Sequence, residues 1–302
     1  MSCHAKRLSA LVVALFAATA AAAGDGLPPR DPSPLTVRQI HSGHSLTDTY
    51  MGQPWPGRLV LATSIRAGTR PQDTIAESTI PGSPLHWRWD NPTDAPDARR
   101  DISRFDLLVT TEAVPLIADE AIFAERTLSD LDRWVAHAQA EGKGGQGAEV
   151  MLYSTWVSWS YPNGAPDWDK EAHIPFRERL EIEGARWERM QDHANANRPE
   201  GMRPVYMIPG HRLMMRLYDD IAAGKAPGLS SIGDIFADDI HLNHIGSYAV
   251  SALVYSVIYQ RNPRELPDYL TEEDRVMSPA LARYLKSVAW DVATGYERSG
   301  LP

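Results

Sequence analysis

The chain has 302 residues, of which 43% are hydrophobic and 23% charged, enough apolar material for a sizeable core in one large domain or two small ones. Its 39 acidic against 30 basic side chains give a formal charge of −9, which argues against a protein that works by neutralising nucleic-acid phosphates. The single cysteine, Cys3, excludes an internal disulfide framework and a cysteine-rich zinc site.

Lys6 and Arg7 precede an almost wholly apolar run over residues 8–23, which ends in small residues before Gly24 and Asp25. That order of positive charge, apolar stretch and small residues is the pattern of a secretory signal peptide, so residues 1–23 are expected to be removed on export. An uncleaved anchor is the alternative, against which the run is short for a span of about 20 residues. Removal leaves the chain two units more negative than −9. A secreted or periplasmic location follows, with no membrane association after cleavage.

Residues 24–34 are rich in Gly and Pro and read as a flexible leader. Alternation over 37–41 predicts a strand that runs into a turn at Gly43. Residues 58–67 suit a short helix, and 75–80 a second strand ending at Pro81-Gly82. The Pro/Asp/Arg-rich stretch 90–103 reads as a surface loop, and the apolar run 105–111 as a buried strand. Leu128, Leu131, Trp134, Val135 and Ala138 recur at helical spacing over 127–140 until glycines between 142 and 147 break the pattern. A strand over 150–159, an irregular loop over 161–168, a charged helix over 174–195, a strand over 204–208 and a last helix over 245–260 follow. Strands alternating with helices predict a three-layer α/β/α sandwich around a mostly parallel, five-stranded sheet, in one domain over residues 35–302.

Three segments fall where such a sheet places its reactive groups, at the carboxyl ends of strands. In Gly43-His44-Ser45-Leu46 a serine sits in a glycine-flanked turn after a strand, where its hydroxyl is presented outward; the plainer alternative is that Ser45 caps the next helix. In Asp238-Asp239-Ile240-His241 a carboxylate precedes a histidine by three residues, a spacing that lets it bond the imidazole, and a serine needs such an oriented base to become a nucleophile. Ordinary surface charges are the alternative there. In Pro81-Gly82-Ser83 a glycine lets a backbone N–H approach a substrate oxygen, or simply makes a turn. His241 and His244 with Asp238 or Asp239 could instead ligate a metal, but a further ligand is not evident, and none is expected. His41 and His44 flank the serine as alternative bases. His211 and the tryptophans Trp87, Trp89, Trp156, Trp159 and Trp168 are candidates to line a cleft.

Taken in this order, Gly43-His44-Ser45-Leu46, Gly82 and Asp238-x-x-His241 resemble the motif blocks of the SGNH/GDSL hydrolase superfamily over about residues 37–262. The resemblance implies a flavodoxin-like fold with Ser45 as nucleophile, His241 as general base and Asp238 as its orienting carboxylate. It implies backbone N–H groups of Ser45 and Gly82 as oxyanion donors, with Gly68 as a fallback for Gly82. His44 departs from the family's Asp, and Glu112 stands where the family carries an oxyanion-donating Asn. An ionised Glu112 would repel an oxyanion, so it must turn away, be protonated, or be dispensable. The expected function is that of an exported serine esterase on carbohydrate-linked or other acyl esters, with no cofactor, no metal and no nucleic-acid partner. An O-acyltransferase and a catalytically retired glycan-binding protein are the alternatives.

Overall fold

Five strands set the frame: β1 (Gln39–Gly43), β2 (Ile75–Thr79), β3 (Leu107–Thr110), β4 (Glu149–Ser154) and β5 (Tyr206–Pro209). In the computed structural model, which describes residues 27–47, 75–94, 96–268 and 277–302, they form one sheet in the order β2-β1-β3-β4-β5. Every pairing is parallel, with Ile40 opposite Leu108, Leu108 opposite Val150, and Met151 opposite Tyr206. The expected mostly parallel, five-stranded sheet is thus wholly parallel.

Both faces of this sheet are covered, so its strands read as nearly continuous apolar runs rather than alternating ones. Leu107, Val109, Met151, Tyr153 and Ile208 belong to one core, shared with α4 (Gly210–Ala222), α5 (His244–Tyr259) and α6 (Pro279–Thr294). Their chain neighbours Leu108, Val150, Leu152 and Met207 point the other way, into a core with α1 (Leu85–Asp90), α2 (Ser129–Gly145) and most of α3 (Phe176–Asn197). The result is an α/β/α sandwich of three layers.

Several elements differ from expectation. The strand expected over 150–159 ends at Ser154, because Thr155 and the residues after it turn away to meet the segment before α5. Beyond the end of α1 at Asp90, the regular part of 90–103 among the described residues is a short turn at Ile102–Arg104. The helix α2 ends where predicted, as Gly142 leaves helical geometry with ψ 153°. Three of the helices, α1, α4 and α6, were not foreseen. In α4 the buried Leu213, Met214, Leu217 and Ile221 mark one face, and in α6 Ser278 caps the first turn by accepting from the Leu281 N–H, with Pro279 at the first helical position.

The leader also requires correction over its described part. Arg30 is buried and donates to both carboxylate oxygens of Glu149, at 2.6 and 2.9 Å, and to the Ile258 carbonyl at 2.8 Å. The backbone joins in, with the Arg30 N–H on the Gly300 carbonyl at 2.7 Å and the Ser33 N–H on the Ile258 carbonyl at 3.1 Å. Residues 27–34 are therefore anchored to the body of the fold. The proposed signal segment 1–23, the helix over 58–67 and Gly68 lie outside the described residues.

Candidate active site

The sheet order reverses between β1 and β3, since β1 leads to one edge through β2 and β3 begins the march to the other. Such a switch point opens a crevice at the carboxyl ends of the strands. Ser45 follows β1 there, in a tight turn closed by the Thr47 N–H on the His44 carbonyl at 2.8 Å. Gly43 is required: a Cβ on it would overlap the Thr47 side chain. Leu46 plugs into the core, which turns the Ser45 hydroxyl toward the crevice.

The turn is pinned by its own histidine. His44 donates from Nε2 to the Glu112 carbonyl at 3.0 Å, while its Nδ1 accepts from the Leu46 N–H at 3.3 Å. Burial, helped by the Arg88 charge, pushes its imidazole down to about 3. His41 is buried as well, bonded to Gln39 at 2.9 Å, and burial pushes it likewise to about 3. Neither imidazole faces the Ser45 hydroxyl as a base.

His241 does. Its Nε2 lies 2.9 Å from Ser45 Oγ and its Nδ1 2.7 Å from Asp238 Oδ2. With a carboxylate on Nδ1 that nitrogen carries the proton, leaving the Nε2 lone pair to accept from the serine hydroxyl. The other Asp238 oxygen accepts from the backbone N–H groups of His241, at 2.6 Å, and Ile240, at 2.9 Å. Partial burial works to raise the Asp238 carboxyl, but these N–H bonds and the imidazole hold it below its ordinary value. Asp239 points elsewhere, toward the Ser158 hydroxyl.

The loop that carries this pair is held from two sides. An antiparallel bridge joins Phe236 to Leu242, and Asn243 caps α5 while donating to the Asp234 carbonyl at 2.8 Å. From the segment after β4, three donors meet three successive carbonyls. Trp159 Nε1 reaches Asp238 O at 2.8 Å, the Trp159 N–H reaches Asp239 O at 2.8 Å, and Trp156 Nε1 reaches Ile240 O at 2.9 Å. Of the tryptophans considered for the cleft, these two hold the acid–base loop, Trp89 packs edge-on against Trp134 at 5.2 Å, and Trp87 and Trp168 are the exposed ones. His211 does not line the cleft: it is fully buried, with Nδ1 on Ser154 Oγ at 2.7 Å.

Gly82 lies in the turn after β2, at φ 68°, closed by the Ser83 N–H on the Ile80 carbonyl at 3.1 Å. The Ile80 N–H bonds the Gly43 carbonyl at 3.1 Å, so this turn runs beside that of Ser45. Among the described residues no group accepts from the N–H of Ser45 or of Gly82. Beneath them lies Arg88, buried on α1, which the sequence reading passed over. It donates to Ser42 Oγ and Ser83 Oγ, each at 3.1 Å, and to the carbonyls of Ser83 and Thr111, tying together the ends of β1, β2 and β3. Its role depends on three strand ends converging, for which a lone arginine in a short helix carries no signal.

Glu112 follows β3 and is buried. Its Oε1 accepts from the Leu85 N–H at 3.0 Å and the Ala113 N–H at 2.7 Å. Burial pushes its carboxyl up to about 7, against the pull of the Arg88 charge. The two amides orient Oε1, while burial eases its protonation relative to an exposed glutamate.

Among the described residues no cluster of His, Cys, Asp and Glu is arranged to hold a metal ion, and no helix is long and apolar enough to cross a membrane. No protein-family model matches the chain, and no curated protein does. Among solved structures it is similar to one described as a GDSL-like lipase from Parabacteroides merdae, at 13% identity and a TM-score of 0.46 over 78% of this chain and 98% of that one. It is also similar to a carbohydrate acetylesterase from Sinorhizobium meliloti, at 15% identity and a TM-score of 0.30 over 62% of this chain and 99% of that one. At such low scores these likenesses carry no weight for the chemistry, which rests on the side chains.

Proposed function

We propose that the protein is a serine esterase that hydrolyses acyl esters, carbohydrate-linked ones foremost, after export to the periplasm or the medium. The observation that carries this reading is the unbroken relay from Ser45 Oγ through His241 to Asp238, at 2.9 and 2.7 Å. These are the separations at which a base activates a hydroxyl and a third group orients the base.

In the proposed cycle Ser45 Oγ attacks the ester carbonyl carbon as His241 Nε2 takes its proton. The N–H groups of Ser45 and Gly82, unpaired among the described residues, donate to the resulting oxyanion. Asp238 keeps the imidazole in the tautomer that can receive the proton and steadies the imidazolium. His241 then gives the proton to the departing alcohol oxygen, leaving an acyl group on Ser45. Water, deprotonated by the same imidazole, repeats the attack and releases the acid. The exposed faces of Trp87 and Trp168 are suited to stacking against a sugar, and the signal-like N-terminus supports the export that a glycan substrate requires.

Labelling with a fluorophosphonate probe tests the reading. The full-length protein should gain one adduct, on Ser45, and release acid from p-nitrophenyl esters. Ser45→Ala should take no label and lose kcat by roughly 10⁴-fold or more. Folded protein that takes no label and cleaves no ester would point instead to a glycan-binding role.

A further inference from the structure

A cavity of about 420 Å³ opens beside Glu112, between the loop after β3, the start of α1 and the turn that leads into α2. Its walls are largely apolar, from Pro84, Ala113, Pro115, Ile117 and Ile122, and polar side chains complete the lining. Ile122 is left 46% exposed at this site. A cavity of roughly 150 Å³ lined by aliphatic groups already accommodates benzene, so an acetyl group would leave most of this one unfilled.

Glu112 joins the cavity to the catalytic turn. Its carboxyl lines the cavity, while its carbonyl accepts the His44 bond one residue from Ser45. The two limbs of an ester are then distinguished by the imidazole. His241 must protonate the departing oxygen, so the alcohol limb lies against His241, which leads into α5 on one face of the sheet. The acyl limb extends away from it. The cavity is built from the start of α1, the loop after β3 and the segment that precedes α2, beside the core of the opposite face and on the side away from His241.

We infer that this cavity is the acyl-binding site and that it selects apolar acyl groups larger than acetyl, of ring size or of medium chain length. The inference rests on the esterase reading above. Its carboxyl floor is compatible with an apolar guest because Oε1 is satisfied by two amides and burial favours the neutral acid.

The test is an acyl-length profile on p-nitrophenyl acetate, butyrate, hexanoate and octanoate, with the full-length protein and two variants. Wild type should show kcat/KM for hexanoate at least about tenfold above acetate, since each methylene in a fitting pocket is worth that much or more. Ile117→Trp fills the cavity, and Ile122→Glu, at an already half-exposed position that folding tolerates, places a charge on its wall. Each should lower kcat/KM for hexanoate at least about tenfold and so erase the preference over acetate. Acetate cleaved as fast as hexanoate by wild type, or a preference that survives both substitutions, overturns the cavity assignment and leaves the esterase reading standing. An enzyme that labels on Ser45 but ignores acyl length while discriminating among alcohols overturns it equally. Absence of labelling and of all ester turnover sinks the underlying reading, and this inference with it.

Discussion

Glu112 holds a carboxyl in apolar surroundings, with an arginine near and two amides on one oxygen. Its pKa is raised from 4.5 to about 7, so the folded protein keeps a proton that the unfolded chain has released. The stability from this group is complete below about pH 4.5 and is lost as pH rises through 7, by up to about 3 kcal/mol. Glu112→Gln retains the acceptor for Leu85 and Ala113 and carries a permanent donor in place of the acid proton. Its urea midpoint should therefore rise more steeply between pH 5 and 8 than that of wild type, because the opposing loss from Glu112 is gone. Ester hydrolysis should be preserved below pH 7 and exceed wild type above it, where the native carboxyl ionises. A loss of about a hundredfold, the scale of a deleted oxyanion donor, would show that the reaction needs the carboxyl itself at this position. Asp238 works with the opposite sign: its carboxyl is held low, so what it adds to stability is present at neutral pH and vanishes on acidification below its lowered value.

At the scale of elements, the proposed catalytic pair depends on a loop that has no regular structure of its own. The indoles of Trp156 and Trp159 fix its carbonyls, and Trp159 also stacks on Phe236 at 6.0 Å. Trp159→Phe keeps a ring for that stack and deletes the Asp238 bond. Because a misplacement of about 1 Å at a reacting group costs on the order of 10²-fold, kcat should fall by about 10- to 100-fold with KM little changed. An unchanged kcat would show that the remaining anchors suffice. This clamp also marks the limit of what could be read before the structure. Strands such as Leu107–Thr110 announce themselves as apolar runs, and the three-residue offset of Asp238 and His241 is local chemistry, so both were legible. The indole donors were not, because nothing in a tryptophan names the distant carbonyl it will meet. The faces of α4 and α6 were present as spacing in the sequence, yet His211 after β5 drew attention as a cleft residue and α6 lay beyond the recognisable blocks. Arg30 was hidden for a related reason: a Gly/Pro-rich stretch reads as loose until its ion-pair partner, Glu149, is known.

For the whole molecule, three imidazoles are kept neutral by burial. His41, His44 and His211 are each pushed from 6.5 to about 3. The unfolded chain takes up these protons first, so stability is intact above pH 6.5 and erodes as pH falls from there toward 3. The urea midpoint should drop steeply over that window, and His211→Gln should make the slope shallower by about one proton. An identical slope in the variant would mean that His211 already titrates in the folded state. Glu112 acts against this erosion with one proton against three, so the maximum is expected at or slightly above neutrality.

The bond from Arg30 to Gly300 lies at the amino ends of the strands, the pole opposite Ser45. It joins two segments far apart in the sequence, and the ion pair with Glu149 is sheltered beside it. These two segments therefore close the floor of the sandwich together, and neither can leave without uncovering a buried charge.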